Sequence, residues 1–293
     1  MTSASTEIAQ AFLRACWLDV AVRKAGNVSV ASAGHRMQAD LFVRSARAAA
    51  GSLCTPGARV GTRIETAMAA SWAAAGCNTN LGILLLCAPV ARAAERAGPC
   101  RLQAALGAVL DELDVDDARA AYRAIARANP GGLGSAPEQD VHAAPTLGLR
   151  AAMALAADRD LIARQYANGY ADLFDVALPA LPSVFPPGSI EIEGPVEPAI
   201  VAAVQAVYLR LLAAFPDSHI VRKHGAGVAQ NVMAAAQPWA ERAAQGERLD
   251  ADPAYAAWDE ALKRVGINPG TTADFAVATL FVAGLMGGSA APA

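Results

Sequence analysis

The chain has 293 residues, 54 % of them hydrophobic and 17 % charged, with a formal net charge of −3. That is ample apolar material for a sizeable core, and it excludes a disordered chain. With no basic stripe to neutralise a phosphate backbone, the composition also speaks against nucleic acid as a partner.

Apolar spacing predicts a first helix from Glu7 to about Arg23, with Thr6 as N-cap and Ala11, Phe12, Cys16 and Val20 on one face. Glu7, Arg14 and Asp19 break that segment, so it does not read as a signal peptide and a cytoplasmic location is expected. After the Pro56-Gly57 turn, Val60, Ile64, Met68 and Trp72 recur at every fourth position and predict a second helix. The apolar run Leu81–Ala91 is too short to cross about 30 Å of hydrocarbon and is expected to be a core helix. Pro99 opens a helix carrying Leu102, Leu106, Val109, Leu110 and Leu113. Asp116 or Asp117 is expected to cap the next, which stops before Asn129-Pro130-Gly131-Gly132.

Gly131–Pro145 reads as a loop, followed by helical patterns over Leu147–Ala156 and Asp158–Ala177, the latter with Tyr166, Tyr170, Leu173 and Phe174 on one side. Pro179–Pro198 is a proline-rich connection with a brief Ile190–Ile192 alternation. Ile200 to Phe215 forms a long apolar helix, and three more are expected over His219–Ala236, Pro253–Val265 and Thr272–Gly284. Phe275–Met286 falls short of the roughly 20 residues a membrane span needs, so no membrane partner is expected. The five cysteines lack CxxC spacing and read as buried, reduced thiols. The expectation is all-α: a single large helical domain over residues 1–293, of about ten to twelve helices, with a polar cleft lined by helix ends.

Four polar islands interrupt this apolar pattern. Lys24–Ser29 (KAGNVS) follows a helix and offers an ammonium, a glycine, an amide and a hydroxyl. It suits an anion; equally, it is a glycine C-cap with Lys24 at the negative end of the dipole. Asn78–Gly82 (NTNLG) opens a helix, and Asn78, Thr79 and Asn80 either cap it or present amides to a ligand. Asp217–Gly225 (DSHIVRKHG) mixes acid, base and cation. Asp217 or Ser218 caps the helix that follows, and Arg222, Lys223 and His224 in its first turns would be opposed by the dipole, which suggests an anionic partner. The alternative is a solvated basic face. Asn268–Phe275 (NPGTTADF) builds a turn with Pro269 and Gly270, caps a helix with a Thr such as Thr272, and places Asp274 where it complements the dipole or binds Mg²⁺. Glu65, beside the apolar face of Ile64 and Met68, is either solvated at its margin or held for metal or general-base work. His35 and His142 stand alone.

In order, these islands resemble the triphosphoribosyl-dephospho-CoA synthase family, the CitG/MdcB-like group. That family carries a KPGLVD-like segment, F-x-x-S-A, NTHKG, D-T-x-x-x-R-x-G and S-P-G-G-S-A-D-L. The counterparts here are Lys24–Ser29, Phe42-Val43-Arg44-Ser45-Ala46, Asn78–Gly82, Asp217–Gly225 and Asn268–Phe275, with Gly61, Glu65 and Met68 resembling a G-x-x-x-E-x-x-M. The resemblance implies transfer of a triphosphoribosyl group from ATP to the 2′-hydroxyl of 3′-dephospho-CoA with release of adenine, through an oxocarbenium-like transition state. By the same resemblance Lys24, Arg222 and Lys223 grip phosphates, Glu65 or Asp274 holds Mg²⁺ or acts as base with Asp217 a further catalytic acid, and Asn27, Asn78 and Asn80 orient ribose or base. Gly26, Ser29, Thr79, His224, Gly225, Asn268, Gly270 and Thr272 complete the binding set.

The chain departs from the family pattern at Arg36-Met37-Gln38, at Ser29 where the family has Asp, and at Asn80-Leu81 where it has His-Lys. It is thus similar to a divergent branch associated with tetrahydromethanopterin-linked one-carbon metabolism. A related nucleotide-dependent step in tetrahydromethanopterin or methylofuran assembly is the runner-up, and a non-catalytic nucleotide- or pterin-binding protein the third reading. Partners are expected to be small-molecule nucleotide and cofactor-precursor substrates, with a homodimer left open.

Overall fold

The computed structural model describes residues 3–129, 143–182 and 191–287, and the fold is all-α. Most of the Gly131–Pro145 loop, much of the Pro179–Pro198 connection including Ile190, and His142 lie outside the described residues. Thirteen α-helices are present among the described residues, one more than the expected range. They are α1 (Ser3–Ala21), α2 (Ala39–Leu53), α3 (Val60–Ala75), α4 (Leu81–Arg96), α5 (Leu102–Asp111), α6 (Val115–Ala128) and α7 (Leu149–Ala154), then α8 (Leu161–Asn168), α9 (Pro198–Ala214), α10 (Ser218–His224), α11 (Ala226–Ala244), α12 (Pro253–Arg264) and α13 (Gly270–Gly287). The segment expected as one helix over His219–Ala236 is two, because Gly225 takes φ +86°, a value glycine tolerates and a helix does not.

Buried apolar residues from α1 through α13 join in one continuous core. Helices α4 and α13 run through it: α13 packs on α1, α4 and α9, while α3 sits between α2 and α6. α13 is 18 residues long, apolar enough to cross a membrane by length and composition, and 67 % of it is buried inside the protein. The cysteine expectation holds for Cys16, Cys54 and Cys87; Cys77 is partly open and Cys100 is exposed.

α4 contains Pro89, which has no N–H to offer the carbonyl of Leu85 one turn earlier. Tyr166 supplies the missing donor, its hydroxyl 2.6 Å from Leu85 O, and Tyr170 donates to Leu86 O at 2.9 Å. Both tyrosines are fully buried, so these two bonds let a proline sit inside a core helix without stranding a carbonyl.

The cap of α6 falls two or three residues earlier than expected. Asp114, not Asp116 or Asp117, accepts from the first turn, and Asp117 returns a bond to the Asp114 N–H in a reciprocal box. Asp117 also accepts from Gly61 N at 2.8 Å, and a β-carbon at Gly61 would lie 2.5 Å from Asp117 Cα. Gly61 therefore sets the α3–α6 spacing. Alanine would gain about 1 kcal/mol of helix propensity, but it would meet backbone rather than a side-chain tip and cost about 1–3 kcal/mol or more. Gly61→Ala is expected to lower the melting temperature by several degrees; an unchanged or higher value in a thermal scan would show that the helices can part freely.

Candidate functional site

The first island wraps onto the last island and onto α12. Gly26, at φ +79°, gives its N–H to Asp259 Oδ1 (2.8 Å), and its carbonyl accepts from His35 Nε2 (2.8 Å). A β-carbon there would sit 2.8 Å from Pro269 Cδ, so only glycine allows the approach. Asn27 Nδ2 donates to Asn268 Oδ1 at 3.0 Å. Lys24 turns inward. It is 0 % exposed, donates to the Asp19 carbonyl in the last turn of α1, and pairs with Asp19 Oδ1 at 3.1 Å, with its ammonium over the Tyr208 ring. This is the geometry of a helix C-cap, and it leaves no surface of Lys24 for a phosphate.

Four helix N-termini meet around Asp274. Asp217 caps α10 through Ile220 N (3.0 Å) and accepts from both Thr272 N and Thr272 Oγ1 (2.7 Å each) at the start of α13. The expected Thr cap of α13 is thus a bond to Asp217 of another element. Asp160 caps α8 through Ile162 N and Ala163 N and pairs with Arg222 Nη1 at 2.7 Å, while Ser218 Oγ accepts from Leu161 N at 2.8 Å. At the start of α4, Asn78 Oδ1 accepts from Leu81 N (3.1 Å), and Asn80 Oδ1 accepts from Ser71 Oγ (2.7 Å). A β-carbon on Gly82 would fall 2.0 Å from Asp274 Oδ2 and 2.8 Å from Ile162 Cδ1. Gly82 therefore lets the Asp274 carboxyl lie directly on the α4 backbone, beside α8.

The basic trio corrects the expectation from the dipole. Because α10 ends at His224, Arg222, Lys223 and His224 occupy its last turn, where the dipole favours cations rather than opposing them. Arg222 is paired with Asp160, His224 Nε2 meets Gly266 O at 3.2 Å, and Lys223 is exposed. Glu65 stands apart from the junction: both of its oxygens are taken by Arg123 (2.6 and 2.7 Å), and that hydrogen bond holds its pKa below the usual range. No group of three or more His, Cys, Asp or Glu side chains is placed to hold a metal ion among the described residues.

What remains unpaired is concentrated in the islands. Ser29 Oγ, Thr79 Oγ1, Asn80 Nδ2, His219 Nε2 and Arg222 Nε are buried without a hydrogen-bond partner, and Asp274 has neither hydrogen-bond nor ion-pair partner among the described residues. Each orphaned buried polar group costs roughly 1–3 kcal/mol, so such a grouping makes the junction the candidate site. Burial, reinforced by Asp19, Asp217 and Asp160, pushes the Asp274 carboxyl well above the usual range; Arg222 only partly opposes this. Part of its surface nevertheless stays open to solvent. Burial also pushes His219 down to about 3, with Lys223, Arg222, His35 and His224 adding to the effect. Sequence reading passed over Asp160, although an Asp immediately before Leu161-Ile162 carries an N-cap signature, and it gave His219 no role.

The structure thus combines an all-α fold with unpaired polar groups where helix N-termini meet. The family model for CitG, ATP:dephospho-CoA triphosphoribosyl transferase, matches residues 5–292, and the chain belongs to that family, whose members are transferases with ATP as a substrate. A solved structure from Archaeoglobus fulgidus, provisionally described as a triphosphoribosyl-dephospho-CoA synthase, shares the fold with a TM-score of 0.63 at 22 % identity, over 83 % of this chain and 98 % of that one. No curated relative matches the chain.

The unpaired Asp274 has a measurable signature. Its pKa is raised in the folded state, so the folded protein holds the proton more tightly and stability falls as pH rises above about 4, the unfolded value. Asp274→Asn, which cannot ionise, is expected to melt above the wild type at pH 7–8, with the gap closing toward pH 4. Equal melting temperatures across that range would mean that Asp274 is solvated and ionises freely.

Proposed function

We propose that this chain transfers the triphosphoribosyl group of ATP to the 2′-hydroxyl of 3′-dephospho-CoA and releases adenine, with residues 1–293 acting as one domain. Family membership supports the reaction class, and the convergence of unpaired polar groups on Asp274 supports the place. In the reaction the ribose C1′–adenine N9 bond breaks and a C1′–O2′ bond forms. The hydroxyl proton ends on the departing purine, so no further reactant is needed.

Asp274 takes the central role. It is the junction carboxyl without a protein partner, and burial raises its pKa, which makes its carboxylate a stronger base. As a carboxylate it accepts the acceptor hydroxyl's proton and faces the positive charge that develops at C1′. Arg222, Lys223 and the positive ends of α4 and α13 attract the triphosphate. Ser29, Thr79 and Asn80 retain polar atoms for ribose or base, whereas the Asn27 amide is spent on Asn268 and Asn78 on the α4 cap. Asp217 holds the helices rather than reacting, since both oxygens are engaged. Gly26, Gly225, Gly270 and Thr272 shape the turns. Lys24 and Glu65 take no direct part.

The donor set fits Mg²⁺ in one mode only. Asp274 offers one carboxylate, and Mg²⁺ commonly takes one or two carboxylates, with phosphate oxygens and waters completing its shell. Bound there, it would neutralise triphosphate charge. A second reading follows from Asn80-Leu81, where the related motif has His-Lys and where Leu81 is buried: the same donor chemistry serving a different acceptor, in tetrahydromethanopterin or methylofuran assembly.

Incubation of the purified chain with ATP, Mg²⁺ and dephospho-CoA is expected to yield adenine in step with a triphosphoribosylated product by mass spectrometry. Asp274→Asn is expected to lower turnover by about 10²–10⁴-fold while keeping its helical circular dichroism. Adenine formed only with a pterin or furan acceptor would select the second reading. No adenine with any of these acceptors would discard the transferase assignment.

A further inference from the structure

His219 lies on the first turn of α10, anchored by the Asp217 cap, and its ring faces α13: Nδ1 is 3.5 Å from where a Gly270 β-carbon would stand. Asp274 is four residues beyond Gly270, on the same side of α13. Arg222 is three residues beyond His219 on α10, so its orphaned Nε follows the orphaned His219 Nε2 along one helix face. His219 Nε2 and Arg222 Nε on α10 are buried without a protein partner, and the Asp274 carboxyl, also without one, stands one turn beyond Gly270 on α13. The surrounding charges are Lys223, Arg222 and His224 on α10 itself and His35 from the loop that follows the first island. In the tautomer that carries its proton on Nε2, the ring leaves a donor unpaired beside Lys223 and Arg222, a setting that suits an oxygen acceptor with negative charge.

We propose that His219, at an unspecified x position of the D-T-x-x-x-R-x-G motif, is a ligand-contacting residue whose Nε2–H binds a phosphate oxygen of the nucleotide. The inference rests on the nucleotide reading of the site. It adds a contact that the motif does not require. The ring meets the phosphate chain as a neutral donor, because burial first, and the neighbouring Lys223 and Arg222 next, disfavour its protonation.

The test uses the full chain with inorganic tripolyphosphate, ATP and adenosine, titrated by calorimetry, and with ¹⁵N imidazole resonances of His219 assigned from His219→Ala. Tripolyphosphate is expected to shift the Nε2 resonance of the wild type. His219→Ala is expected to weaken tripolyphosphate and ATP by about 10- to 100-fold, with adenosine unchanged and His219→Gln, which keeps an N–H at similar reach, recovering part of the loss. Should His219→Ala fold poorly, His219→Gln serves for the assignment and the wild-type resonance decides. A silent resonance, or affinity for adenosine falling while that for tripolyphosphate holds, overturns the assignment. If adenine is released in the turnover assay yet His219→Ala binds tripolyphosphate normally, this inference fails and the transferase reading stands. A wild type that binds neither tripolyphosphate nor ATP removes both.

Discussion

Asp217 has no contact with solvent, yet its carboxylate meets the first turns of two helices at once. Taking a carboxylate out of water costs several kcal/mol. Three hydrogen bonds, at roughly 1.5–3 kcal/mol each when one partner is charged, together with two helix dipoles, return a sum of the same size. Burial still pushes its pKa upward, so desolvation outweighs the bonds that oppose it. Such a group has little to spare, and the orientation of α10 against α13 follows from satisfying it. That orientation in turn fixes where His219, Arg222 and Asp274 point.

Around this strut the protein accepts disfavoured arrangements. Asp160 and Asp217 are fully engaged in caps, Asp19 is tied to a buried lysine, and Asp274 is left alone among them. A core selected for stability alone would place an amide or an apolar residue at position 274. An acid there, pressed against the bare backbone of Gly82, costs stability once it ionises, and the proposed proton transfer gives that cost a purpose.

Periodicity made the helices legible: Val60, Ile64, Met68 and Trp72 mark α3, and the apolar run after Asn80 marks α4, because a core imposes a repeat on whatever faces it. The convergence of the islands was less accessible. Lys24 reads identically as an anion grip or as a C-cap, and only the distance to Asp19 separates the two. Arg222 to His224 were misplaced relative to the dipole because whether Gly225 ends a helix depends on its φ, which local sequence does not dictate. Glu65 drew attention through its apolar neighbours, but its partner Arg123 is far along the chain. Asp160 and Gly82 matter through what lies across from them, and a single sequence does not show what lies across.

Pro89 gives α4 a dependence unusual for a central helix. Its broken ladder is mended by hydroxyls from Tyr166 and Tyr170, at the end of α8 and just beyond it, so the middle of α4 is not a locally complete unit. The helix that supplies Gly82 to the junction therefore depends on residues from the later half of the chain. A polypeptide truncated before Tyr166 would carry the first two islands but lack the donor that the Leu85 carbonyl requires.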